Sequence, residues 1–108
     1  MTESINIAKD FHKAPAGRYR SYGNFSGQRF REEFLLPAFE NKTISKIDII
    51  LDGLDGVGAS FWDEAFGGLI RENSISVSEI ENKVNFICTD DITLVPFIWQ
   101  IIKKSAED

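Results

Sequence analysis

The run from Lys46 to Arg71, KIDIILDGLDGVGASFWDEAFGGLIR, decides the fold. Its first part sets Ile47, Ile49, Ile50 and Leu51 around a single polar residue, Asp48. That is close to the continuous apolar pattern of a strand covered on both faces, and it places this strand at the centre of a sheet. The next residues, Asp52-Gly53-Leu54-Asp55-Gly56-Val57-Gly58, carry turn chemistry. Glycine reaches positive φ without steric cost, and aspartate hydrogen-bonds nearby backbone. A helix is expected at or just after Ser60, with Phe61, Ala65 and Leu69 on one face and Trp62, Phe66 and Ile70 beside it. Gly67 and Gly68 each weaken that helix by about 1 kcal/mol relative to alanine, so their presence points to close backbone approach. Strand, loop and helix start in one segment is the arrangement that most often carries recognition in an α/β domain.

Working outward, Ser4 to Phe11 alternates loosely with Ile5 and Ile7 on one face, and Pro15 and Gly17 mark a turn. Arg18-Tyr19-Arg20-Ser21-Tyr22, closed by Gly23, reads as a second strand, so an N-terminal β-hairpin is expected over the first 23 residues. Ser26 is placed to cap a helix from Gly27, whose apolar stripe is Phe30, Phe34 and Ala38; Pro37 should kink or end it. Ile75 to Ile80 fits either a short strand or a helical turn. Lys83 to Thr89 reads as a buried strand, followed by Asp90 and Asp91 as caps and a last helix that tolerates Pro96 only in its first turn. Phe97, Ile98, Ile101 and Ile102 form the inward stripe of that helix. The resulting order predicts one α/β domain over residues 1 to 108, with a small mixed sheet and helices packed on it.

A chain of 108 residues, 43% of them hydrophobic, is long enough to bury its own core. Its formal net charge of −5 opposes nucleic-acid phosphate and anionic lipid, and favours a basic protein partner. Cys88 is the only cysteine, which removes an internal disulfide. No run approaches the roughly 20 apolar residues of a membrane span, and the first ten residues lack a secretory pattern, so a cytosolic protein is expected.

The recognisable chemical motifs fail one by one. The glycine loop lacks the Lys-Ser or Lys-Thr ending of a phosphate-binding loop, and Phe61 stands where a dinucleotide fingerprint needs its third glycine. Asp52, Asp55, Asp63 and Glu64 do not follow calcium-loop spacing, and turn chemistry with the helix dipole accounts for them. His12 and Cys88 are single copies, too few for a zinc site, and no nucleophile-elbow pattern surrounds Ser60. Arg18, Tyr19, Arg20 and Tyr22 interleave charge and rings, yet in an acidic chain they suit a hairpin face or protein contact better than nucleic acid. Ser60 reads as the N-cap, with Asp63 completing a capping box, and the same amides would favour a phosphate on its hydroxyl. No cofactor or metal is implied.

Gly17-Arg18-Tyr19-Arg20, Phe25-Ser26-Gly27, Phe30-Arg31-Glu32, Leu51-Asp52-Gly53, and Ser60-Phe61 through Glu64-Ala65-Phe66-Gly67-Gly68-Leu69 occur in order. Together, over roughly residues 9 to 72, they resemble the STAS-like domain family of unknown function, DUF4325. That family is similar to bacterial anti-sigma factor antagonists, in which a phosphorylatable serine begins the helix after a strand and the face around it docks on a serine kinase of the GHKL ATPase class. The resemblance implies a STAS-like fold and a non-enzymatic regulatory module. Its partner-binding residues would be Asp52, Asp55, Gly58, Ser60, Phe61, Trp62 and Glu64, with Ser60 as candidate phosphorylation site. The alternative is a small-ligand-binding or enzymatic domain using the Asp52 to Asp63 loop.

Overall fold

The computed structural model describes residues 1–107. Three strands, β1 (Thr2–Asn6), β2 (Lys46–Ile50) and β3 (Val84–Ile87), form one sheet in the order β1-β2-β3, with both pairings parallel. The apolar run at 47–51 does take the centre, with Ile49 opposite Ile5 on one side and Phe86 on the other. The helices are α1 (residues 27–40), α2 (residues 59–71), α3 (Val77–Lys83) and α4 (Leu94–Glu107). Ile75 to Ile80 therefore resolves as the approach to a helix, which Ser76 caps by accepting the Glu79 N–H at 3.1 Å.

The expected hairpin does not form. Residues 7–11 make a π-helical turn, in which Asn6 accepts the Lys9 N–H and Asp10 accepts the Asn6 N–H, so the chain leaves the sheet at once. Arg18 to Tyr22 contributes only a 3-10 turn at Arg20–Tyr22. Arg20 is drawn to α1, where its side chain pairs with Glu32 and Glu33 and its N–H donates to Gln28. Those local pairings outcompete a strand; Ile5 is buried where β1 pairs with the central strand, and Ile7 is buried at the start of the π-helical turn. The sheet is thus wholly parallel and not mixed.

A sequential 1-2-3 order with right-handed crossovers puts the connecting helices on one side of the sheet. Ile47, Ile49 and Leu51 face that side and are buried, whereas Lys46 is exposed and Asp48 and Ile50 are half-buried. The second face is only partly covered, in contrast to the two-sided burial expected for β2. Helices α1 and α2 approach so closely that a Cβ on Gly27 would lie 2.6 Å from the Phe61 carbonyl oxygen. Around this crossing Phe11, Phe30, Phe34, Phe61 and Phe66 assemble an aromatic core that continues through Phe86 to Trp99.

Ser26 caps α1 as expected, accepting the Arg29 N–H at 3.1 Å. Pro37 does not end the helix. A π-helical stretch at Arg31–Leu35 widens the ladder, with the Leu36 N–H donating to the Arg31 carbonyl, and the missing donor of Pro37 falls at this widened turn. Pro96 sits in the first turn of α4, as required. Ile98 and Ile102 turn inward, while Phe97 stays 40% exposed.

Candidate functional site

Loops at the carboxyl ends of parallel strands are the usual place for recognition in open α/β sheets. Here the loops after β2 and β3 are clipped to each other. Asp52 Oδ1 accepts the Thr89 N–H at 2.6 Å, the Asp90 N–H at 3.0 Å and the Thr89 hydroxyl at 3.1 Å. Asp90 returns the contact by accepting the Gly53 N–H at 2.9 Å. The amides of Thr89 and Asp90 hold the Asp52 carboxyl below the ordinary aspartate range. Gly53 at φ 86° and Gly56 at φ 61° make the turn, as the glycine pattern predicts, and the Asp55 N–H anchors the loop to the Lys13 carbonyl.

Between the two loops runs a groove of about 280 Å³, with Leu51, Leu54, Val57 and Leu94 as its apolar wall and Asp90 and Asp91 on its rim. Asp55, Gly58, Asp90 and Asp91 are exposed. Beyond the clip, Ile92 stands 85% exposed, more open than Met1 at 80% or any other large apolar side chain among the described residues. Asp91 fixes the entry to α4 by accepting from both the N–H and hydroxyl of Thr93.

Asp52, Cys88 and Asp90 bring one carboxylate oxygen or thiol each within 4.8 Å of one another. The two aspartates are engaged in the clip, and the Cys88 thiol donates to Asp90 Oδ1 at 3.4 Å. Burial pushes the Cys88 thiol up, so it remains protonated at neutral pH, and its Sγ lies 3.3 Å from the Asp91 carbonyl oxygen. His12 is also accounted for, stacked on Phe25 with Nδ1 accepting the Ala14 N–H.

The residues assigned to the docking face divide into two groups. Asp52, Asp55, Gly58 and Ser60 lie on or beside the loop, where they were expected. Phe61 and Trp62 are 0% exposed and belong to the core, so neither touches a partner in this fold. The apolar stripe predicted for α2 explains this directly: a face broad enough to pack on the sheet leaves no large ring for the surface. Glu64 is likewise buried. Its carboxylate, 8% exposed, accepts from Arg31 Nη1 at 2.6 Å, and the same nitrogen reaches the Glu64 carbonyl oxygen at 2.6 Å. Gly68 makes room for that guanidinium, since a Cβ there would collide with Arg31 Nη1.

Ser60 is not the N-cap. Gly58 holds that position without a side-chain cap, and α2 starts at Ala59. The capping box fails because Asp63 is taken up elsewhere, by Arg18 on Oδ2 and Arg71 on Oδ1. Burial pushes the Asp63 carboxyl up, but hydrogen bonds from Arg18 and Arg71 outweigh it, and the net displacement is downward. Ser105, buried in α4, accepts from Arg71 Nη1 at 2.9 Å and lies 3.3 Å from Asp63 Oδ1. The roles of Arg71 and Ser105 were not read from the sequence. Ser105 and Asp63 are 42 positions apart, and no local pattern signals such a pair.

The fold defines a small parallel α/β domain of STAS-like type, with two loops clipped together at the strand ends. The chain belongs to the family described as STAS-like domain of unknown function (DUF4325), whose model matches residues 26–93, more than half of its length. Of the resembling blocks, Gly17-Arg18-Tyr19-Arg20 and Phe25 fall before that match. Comparison with curated proteins returned no match, and comparison with solved structures returned none. Among the described residues no helix is long and apolar enough to cross a membrane.

Proposed function

We propose that this domain is a non-enzymatic regulatory module that docks a protein partner on the face formed by the 52–58 loop, the start of α2 and the 88–94 turn. The observation that carries the reading is the groove between the two loops: apolar within, acidic at the rim, and held in one shape by the Asp52 clip. Preorganised loops lose little entropy on binding, so a modest face can still hold a partner. The complement is an apolar anchor flanked by basic residues, in line with the net charge of −5. The likeness to anti-sigma factor antagonists suggests a GHKL-type ATPase or serine kinase as the partner class, acting in a bacterial cytoplasm.

Ser60, half-buried in the first turn of α2, is the proposed switch. A phosphate there adds about −1.5 to −2 charges at the edge of an already acidic face, which weakens a basic partner. Affinity purification with intact-mass readout identifies the partner and any phosphorylation together. Binding should fall at least tenfold with Asp55→Lys and with Ile92→Asp, and also with Ser60→Asp. If all three variants hold the same partner as strongly as wild type, the docking face lies elsewhere.

A further inference from the structure

A cavity of about 520 Å³ lies away from the loop groove, between α2, α4 and the segment carrying Arg18 and Tyr19. That volume is in the range of small-molecule sites, roughly 300–1,000 Å³. Its wall is assembled in advance. Arg18 and Arg71 grip Asp63 from two sides, and buried Ser105 fixes the Arg71 guanidinium at 2.9 Å. Gly67 lets these groups meet, because a Cβ there would run into Ser105 Oγ and Arg71 Nη1. Glu64, at the edge of the cavity, pairs at 2.6 Å with buried Arg31, and its second oxygen lies a longer 4.0 Å from Arg71 Nη2. Three cations, Arg18, Arg71 and Lys104, then face two carboxylates, Asp63 and Glu72. Lys104 is in no ion pair among the described residues. In a chain with net charge −5, this is a local excess of positive charge with fixed guanidinium forks.

We infer that this cavity binds a small organic oxyanion, its carboxylate or phosphate set between Arg18, Arg71 and Lys104 and its apolar body against Ile101 and Tyr19. Guanidinium suits both acids because its planar fork matches two oxygens at once, and Lys104 adds a point charge at the mouth. Tyr19, 43% exposed, contributes an aromatic side chain to the lining. The site does not depend on the docking reading, since it shares no lining residue with the loop groove and meets the proposed docking face only at Ala59, which carries none of its charge.

The test uses the full chain and four probes: inorganic phosphate, adenosine monophosphate, succinate and benzoate, each against sodium chloride at matched ionic strength. At least one probe should raise the melting temperature by a few degrees and give a saturable titration by calorimetry. Phosphate-bearing and carboxylate-bearing arms show which acid the site takes. Lys104→Glu should weaken that binding at least tenfold, while Lys42→Glu, an exposed charge reversal outside the cavity lining, should leave it within twofold. The inference is overturned if no probe binds above the chloride control. It is equally overturned if both charge reversals weaken binding alike, which would show a response to net charge and not to a site.

Discussion

Breaking the Arg31–Glu64 pair is the most informative single perturbation of this fold. The two side chains are 5% and 8% exposed, and they join α1 to α2 at the centre of the helical layer. In Glu64→Ala the guanidinium stays buried with one main-chain acceptor and no counter-charge, and its Nε already lacks an acceptor among the described residues. Removing one partner of such a pair costs about 3–5 kcal/mol, because an uncompensated charge remains in a dry interior. Small domains are stable by about 5–15 kcal/mol, so this is a large share of the whole. A loss of that size lowers the melting temperature by roughly 15 °C or more and moves the urea midpoint by about 1 M or more. The double variant Arg31→Met with Glu64→Leu removes both charges, and it should return close to wild-type stability or exceed it. A four-corner cycle measured by urea denaturation provides the coupling energy. The argument fails if Glu64→Ala costs less than about 1 kcal/mol, or if the double variant is no more stable than the weaker single one.

Three further outcomes follow from other parts of the molecule. Gly27→Ala should cost about 1–3 kcal/mol despite alanine's better helix propensity, because the added carbon meets the Phe61 carbonyl oxygen at 2.6 Å and Ala65 N at 3.0 Å; unchanged urea stability would show that α1 can shift freely. The Asp63 carboxyl is lowered in the folded state, so its contribution is present above the unfolded value near 4 and is lost as pH falls through the folded one. The wild-type melting temperature should therefore drop more steeply below about pH 4 than that of Asp63→Asn, and parallel curves would remove Asp63 from the acid response. Cys88 should react slowly with iodoacetamide at pH 7 and faster as pH rises past the usual thiol range, as followed by intact mass; reaction as fast as free cysteine at pH 7 would contradict its burial.

Local chemistry made several elements legible in advance. The run at 47–51 has a single polar interruption, and only a strand with neighbours on both sides uses it well. Ser26 before Gly27 and Pro96 two residues into α4 are positional rules obeyed within one turn. Gly67 and Gly68 do mark close packing, but the expected close backbone approach is not what they serve: polar side chains, Ser105 from α4 and Arg31 from α1 among them, press against them instead.

The candidate site was legible as a loop but not as a set of side chains. Periodicity placed Phe61 and Trp62 on an apolar stripe, and treating them as both stripe and docking surface asked one face of a helix to point two ways. The Asp52 clip spans 37 and 38 positions, so no spacing rule could show that Asp52 ties the two loops together.

By itself, the sequence determined an α/β domain with a central strand at 46–51, a glycine turn after it, and an apolar helix from about residue 60, because each depends on side-chain period and backbone preference over a few residues. Only the tertiary structure decided that β1 pairs parallel with β2, that Glu64 turns inward to Arg31, and that Asp63 is shared by Arg18 and Arg71. Those outcomes depend on which charges can be satisfied once distant segments meet in a low-dielectric interior, and a linear pattern does not contain that distance information.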